Sequence, residues 1–304
     1  MRIKASATSN LITPDFSVEY PRPLIDVATS PHNNSLFAGI SIVKDSDVGY
    51  SLIAYKTSGA SDISEHVITS LTERPNGLVM REGGEIIVST PSEVSVYHSE
   101  SSDASKLPTS KCGAIAVDAS NNSVIAFASD KSVCLWDTRT KEISLTMKSS
   151  HFFPIQCLDS NPNMEHVYVT GGADGRILFW DLRHPQGSTP LESVGSAHSH
   201  HVTSVRYHPI HDQLLVSSGT DYAVNLWRFQ GVSSTPTRSV PLTSPRTSPS
   251  ASVGDGLIES YRMHEDSVYR CCWSRDGWSF ASVSYDGMVM VNSVSTAEKY
   301  RILL

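Results

Sequence analysis

Four times in this chain an aspartate is followed, six residues on, by a tryptophan or a residue in its place. The pairs are Asp130 and Trp136, Asp174 and Trp180, Asp221 and Trp227, and Asp286 and Asn292. Three of these segments are headed by a histidine: His151, His198 and His264. The intervals from His151 to Trp180 and from His198 to Trp227 are identical, at 29 residues. A period of about 40 residues points to stacked or radial units, each covering its neighbour's apolar face, rather than to one enzyme core.

The segments between these markers read as short strands. SLFAGISIV (35–43), YSLIAY (50–55), EIIVST (85–90), SVIAFAS (123–129), HVYVTGG (166–172), QLLVSSG (213–219) and SFASVS (279–284) are rich in Val, Ile, Tyr and Ser, and Asn, Asp, Gly and Pro separate them. Such spacing predicts an all-β fold. Within 151–183 three strands are expected, over Ile155–Asp159, Val167–Thr170 and Ile177–Trp180, with a less distinct outer strand after them. The plan recurs over 198–229 and 264–292, and over 111–139 without the histidine. Residues 24–56 and 66–98 keep the strand rhythm and lack Trp-Asp.

Composition excludes several classes of function. The formal net charge of -7 disfavours nucleic-acid binding through a basic face. No run of 18 apolar residues is present to span a membrane, and MRIKASATSNLITPDF has no apolar stretch that would make it a signal peptide. Five cysteines, none in a CxxC pair, fit neither a disulfide framework nor a zinc ribbon, so a reducing compartment is expected. No phosphate-cradling glycine loop occurs. Gly83-Gly84 and Gly171-Gly172 sit beside strands, where glycine serves turns or close backbone approach. No cofactor, metal or catalytic residue is expected.

The repeats resemble WD repeats, the four-stranded blades of β-propellers. The resemblance predicts a single WD-repeat β-propeller over 1–304, with six recognisable blades. Residues 1–20 are expected to supply a strand that closes the ring, because closure removes exposed sheet edges. In such blades the histidine, aspartate, a Ser or Thr, and the tryptophan form a buried hydrogen-bonded network. The matching sets here are His151, Thr170, Asp174 and Trp180; His198, Ser217, Asp221 and Trp227; and His264, Ser282 and Asp286, with Asn292 in the tryptophan position. A catalytic triad is the competing reading of His, Asp and Ser. Its recurrence in blade after blade favours structure, since a triad is defined by geometry and roles.

Other motifs carry lesser expectations. His198, His200, His201, His208 and His211 cluster, yet no cysteine completes a zinc set, so a solvated turn and one network histidine are expected. WDTR (136–139) and WDLR (180–183) resemble the Trp-Asp-x-Arg signature of propellers that serve cullin-type ubiquitin ligases as substrate receptors. Arg139 and Arg183 are therefore candidate partner-binding residues, or else pair with an acid of their own fold. Residues 231–256, rich in Ser, Pro and Arg, read as a disordered loop between the last two blades. Thr235, Ser244 and Ser248, each followed by proline, are its candidate phosphorylation sites.

The C-terminal third is more particular. HSHHV (198–202), VRY (205–207), HDQLL (211–215), HEDSVY (264–269), FAS (280–282), SYDG (284–287) and KYRILL (299–304) resemble the EARP- and GARP-complex-interacting proteins, closely over 198–304 and poorly before 110. That family is seven-bladed. The resemblance implies a non-enzymatic scaffold, cytoplasmic and peripheral to the trans-Golgi network and endosomes. It would bind EARP and GARP tethering complexes in endosomal recycling and endosome-to-Golgi retrograde traffic, without direct membrane insertion. The alternative is the ubiquitin-ligase receptor. KYRILL is expected to be the last blade's outer strand.

Overall fold

The computed structural model describes residues 2–5, 24–29, 36–43, 49–57, 63–99, 101–109, 111–118, 121, 123–183, 189–234, 256–274 and 277–303. Six four-stranded sheets account for all strands among them. The chain divides into two compact units: Thr13–Val117 with Asn121–Lys148, and Met1–Ile12 with Asp118–Ser120 and Ser149–Leu304.

The first strand, β1 (Arg2–Ala5), belongs to the second of these units. The other unit holds three antiparallel meanders. The first is β2 (Leu24–Thr29), β3 (Leu36–Val43), β4 (Gly49–Thr57) and β5 (Ile63–Leu71). The second is β6 (Gly77–Met80), β7 (Glu85–Ser89), β8 (Glu93–His98) and β9 (Ser101–Pro108). The third is β10 (Cys112–Val117), β11 (Val124–Ser129), β12 (Ser132–Asp137) and β13 (Glu142–Lys148). Apolar clusters lie between consecutive sheets: Ile40, Leu52, Leu78 and Ile86 meet in one, and Ile87, Val94, Ile125, Phe127 and Trp136 in the next.

The unit that ends the chain repeats the plan. Its sheets are β14 (Ile155–Ser160), β15 (Val167–Gly172), β16 (Ile177–Asp181) and β17 (Glu192–Val194), followed by β18 (Val202–Tyr207), β19 (Leu214–Gly219), β20 (Val224–Arg228) and β21 (Gly256–Tyr261). The last sheet takes β22 (Val268–Trp273), β23 (Ser279–Ser284) and β24 (Met288–Ser293), and its fourth strand is β1, which runs parallel to β24 with Arg2 opposite Met288. Every residue of β15 and β19 is buried, because these strands have a sheet or loop over both faces. Val169, Ile177 and Phe179 pack on Val205, Leu215 and Trp227 of the following sheet. Side chains of this size stabilise by about 1.5–3 kcal/mol each when fully buried. The outer strands β13, β17 and β21 are mostly half-exposed or exposed.

The tail departs from expectation. KYRILL is not an outer strand: Thr296–Leu303 forms the helix α1. Ser295 and Glu298 have the spacing of a capping box, and Ser295 Oγ accepts the Glu298 N–H at 3.3 Å. Glu298 is buried and pairs with Arg228 and Arg301, while Ile302 packs on the last sheet's core. The outer position of that sheet is occupied by β1.

Candidate functional site

The repeated polar residues converge three times within the unit that ends the chain. His151 is brought to the head of β14 by the loop that precedes it. Its Nδ1 lies 3.0 Å from Asp174 Oδ1, and its Nε2 lies 2.8 Å from Thr170 Oγ1. Trp180 Nε1 donates to the same hydroxyl at 2.8 Å. One proton arrangement satisfies every member. The indole donates to Thr170, the Thr170 hydroxyl donates to His151 Nε2, and Nδ1–H donates to Asp174. The Asp174 carboxylate also holds backbone, its Oδ2 accepting from Phe152 N at 2.8 Å and its Oδ1 from Arg176 N at 3.2 Å. Aspartate thus ties its own turn to the loop that delivers the histidine. Burial pushes the His151 pKa below the ordinary histidine value, against the opposing pull of Asp174, so the neutral ring is favoured.

The second set repeats this geometry. His198 Nδ1 is 2.9 Å from Asp221, His198 Nε2 is 2.8 Å from Ser217, and Trp227 Nε1 is 2.8 Å from Ser217. Burial works against the Asp221 carboxylate, but the hydrogen bond and charge of His198 and two backbone N–H groups outweigh it and hold its pKa at about 2. In the third set His264 reaches Asp286 at 3.0 Å and Ser282 at 2.9 Å, while Asn292 occupies the tryptophan position with its Oδ1 unpartnered. Thr170 and Ser217 are fully buried and Ser282 is 1% exposed. A hydroxyl sealed in this way is already committed to the imidazole and fastens the loop to the sheet.

Glycine completes the arrangement. A Cβ on Gly172 would sit 2.3 Å from Asp174 Oδ1 and 2.4 Å from His151 Nδ1. One on Gly219 would sit 2.6 Å from His198 Nδ1. The third network has Ser284 at this point, whose Oγ donates to Asp266 O at 2.8 Å.

The β10–β13 sheet shows what the Asp-to-Trp interval alone does not secure. Trp136 is fully buried, yet its Nε1 has no partner among the described residues. Register explains why. Trp180 faces Tyr168, two residues before Thr170; Trp136 faces Ile125, two residues before Phe127. Phe127 stands where the hydroxyl should be. Asp130 falls in a two-residue turn between Ser129 and Ser132 and adopts a φ of +54°.

The remaining candidates are placed as follows. Arg139 forks onto Asp137 at 3.2 and 2.9 Å, and Arg183 onto Asp181 at 2.9 and 2.6 Å, each on the aspartate of its own Trp-Asp pair. Hydrogen bonds from Arg139 hold the Asp137 pKa at about 2. The histidine cluster is not a solvated turn. His208 is fully buried, packs at a tilt against the Trp273 and Trp278 rings, and accepts Ile210 N and His211 N on Nδ1 at 3.0 and 2.9 Å; His200 and His201 are exposed. Gly277 makes room for it: a Cβ there would lie 2.5 Å from His208 Nε2. Among the described residues no group of three or more His, Cys, Asp or Glu side chains is placed to hold a metal ion, and no helix is long and apolar enough to cross a membrane. The five cysteines are free thiols. Thr235, Ser244, Ser248 and all but the ends of the 231–256 insertion lie outside the described residues.

Comparison with known proteins agrees with this geometry. Residues 78–227 match the family model described as EIPR1 beta-propeller, and residues 256–292 match WD domain, G-beta repeat. The more specific likeness therefore reaches upstream of residue 110, further than the motifs indicate. The EARP-interacting protein 1 of Caenorhabditis elegans is 40% identical over 171 residues, covering 55% of this chain and 46% of that protein. The EARP and GARP complex-interacting protein 1 of Rattus norvegicus is 36% identical over 193 residues, covering 60% and 49%. The WD repeat-containing protein DWA2 of Arabidopsis thaliana is 33% identical over 171 residues, covering 56% and 46%. The chain spans about half the length of these curated relatives. With its repeated His–Asp–hydroxyl–Trp networks and its four-stranded sheets, the chain has the WD-repeat β-propeller fold, and it is similar to proteins named for interaction with EARP and GARP.

Proposed function

We propose that this chain is a non-enzymatic adaptor that binds the EARP and GARP tethering complexes. In this role it serves endosomal recycling and endosome-to-Golgi retrograde traffic, from the cytoplasmic side and peripherally on trans-Golgi and endosomal membranes. The observation that carries the reading is 36–40% identity, over 171 to 193 residues, to proteins named for those interactions. The burial of every network hydroxyl supports a binding rather than a catalytic role. Rigid blades whose polar groups are internally satisfied hold their loops in fixed positions, which spares a partner the entropy of ordering them.

The test is affinity capture. The tagged full chain, expressed in cells and isolated with its associated proteins, is expected to recover subunits shared by EARP and GARP. Recovery of a cullin-ligase adaptor without those subunits would overturn the proposal in favour of the receptor reading.

A further inference from the structure

The loops that carry His151 and His264 meet the β15–β16 and β23–β24 turns in the same way. Phe152 N and Glu265 N, each following its histidine, donate to Asp174 Oδ2 at 2.8 Å and to Asp286 Oδ2 at 3.0 Å. Arg176 N and Met288 N, each two residues after its aspartate, donate to that aspartate's Oδ1 at 3.2 and 2.7 Å. The two sites thus correspond residue by residue: Glu265 with Phe152, and Met288 with Arg176.

At the first site the chain supplies its own cation. Phe152 is exposed, and Arg176 Cζ lies 4.9 Å from the centroid of its ring. At the other site the aromatic surface is larger and the cation is gone. Tyr285, 67% exposed, meets the exposed Tyr269 with ring centroids 5.0 Å apart. Glu265 and Asp266 are exposed beside them. Two hydrogen bonds hold this acidic loop to the tyrosine turn: Tyr285 N donates to Ser267 O at 3.1 Å, and Ser284 Oγ to Asp266 O at 2.8 Å. Asp266 Oδ1 accepts the Ser267 N–H at 2.6 Å, and neither carboxylate forms an ion pair among the described residues. The arginines nearest in the chain are turned elsewhere. Arg262 lines a cleft beside β21 with Ser260 and His198. Burial pushes the Cys157 thiol up to about 12 and the charge of Arg270 opposes it, which places that guanidinium toward β14.

We propose that the Tyr269–Tyr285 surface docks a partner segment through an arginine, which takes the place that Arg176 fills on Phe152. The guanidinium lies on the exposed Tyr285 ring, whose face attracts a cation. Its N–H groups donate to the carboxylates of Glu265 and Asp266. The residue is arginine rather than lysine, because the planar group stacks and forks at once. The inference stands apart from the identity of the complex that the chain serves, since it rests on the difference between these two loops.

The test is amide chemical-shift titration of the full chain with the acetylated, amidated peptide Gly-Ala-Arg-Ala-Gly. Saturable shifts are expected at the backbone amides of 265–269 and 285–288. Citrulline in place of the peptide arginine should weaken binding at least tenfold, and lysine threefold or more. Tyr285→Ala should weaken it at least tenfold, whereas Tyr285→Phe, which keeps the ring face, should stay within twofold. Glu265→Gln combined with Asp266→Asn should weaken it at least fivefold. Met288→Arg, which gives the site a cation of its own as at Phe152, should compete with the peptide and weaken it at least tenfold. These side chains lie at the surface, so the melting temperature is expected to hold. No saturable shift, equal binding of the citrulline or lysine peptide, or undiminished binding to Tyr285→Ala, to the neutralised acids or to Met288→Arg would overturn the proposal.

Discussion

Trp180 and Trp136 sit at equivalent points of two sheets, six residues after an aspartate and out of contact with water, yet only one is hydrogen-bonded. The difference lies in one position of the neighbouring strand: Thr170 in β15, Phe127 in β11. A tryptophan in this place is retained for its volume in both sheets. The polar network is a second, separable contribution, and it exists only where a hydroxyl, a histidine and a long enough turn coincide.

The strongest way to break this comparison is to remove the hydroxyl. Thr170→Val keeps the shape but strands the indole N–H and His151 Nε2, and should cost about 2–4 kcal/mol, measured by chemical denaturation. A loss below about 1 kcal/mol would show that the network adds little beyond packing. Gly172→Ala drives a methyl into the same His151–Asp174 pair and should cost about 1–3 kcal/mol.

Acid should separate the two sheets next. The native His151 pKa lies below its ordinary value of 6.5, so the unfolded chain takes up protons first, and stability falls as pH drops through that value toward the native pKa. Asp221, held at about 2 against an ordinary 3.8, contributes stability that is present above 3.8 and lost as pH falls toward 2. Hydrogen exchange from pH 7 to 4 should therefore show β15–β16 losing protection before β11–β12, whose sheet lacks a network histidine, while β19–β20 weakens only as pH falls below 3.8. Simultaneous loss would contradict the distinction.

A smaller effect sharpens it further. Trp180→Phe and Trp136→Phe lose similar apolar area, but only the first forfeits a hydrogen bond, so it should cost about 1 kcal/mol more. Equal costs in paired melts would mean that solvent satisfies Trp136 as well as protein satisfies Trp180. The least effect is expected from Arg139→Ala combined with Arg183→Ala. These exposed arginines fork onto neighbouring aspartates, so thermal melting and capture of tethering-complex subunits should both be unchanged. Loss of capture would make the Trp-Asp-x-Arg pairs a docking element.

The networks were legible because each member is a polar residue at a fixed interval, and the interval survives in the linear chain. The orphan Trp136 was legible only in part. Its lost histidine can be seen, but recognising Phe127 as the missing hydroxyl needs strand register. His208, next to Pro209, reads as a turn residue; the Trp273 and Trp278 rings that bury it come from a later blade. The tail carried its own signal in Ser295 and Glu298, which outranks the apolar character of KYRILL once an outer strand is already in place.

The pairing of Arg2 with Met288 sets a schedule for the chain. On the ribosome β1 emerges long before β24, so this strand must wait unpaired while five sheets take shape. Closing so long a loop adds little free energy beyond that of a shorter one, since the entropy grows only logarithmically with length. The cost is in time. Until β24 is released the last sheet has an open edge, and that interval is when a nascent chain of this design is most exposed to pairing with the wrong strand.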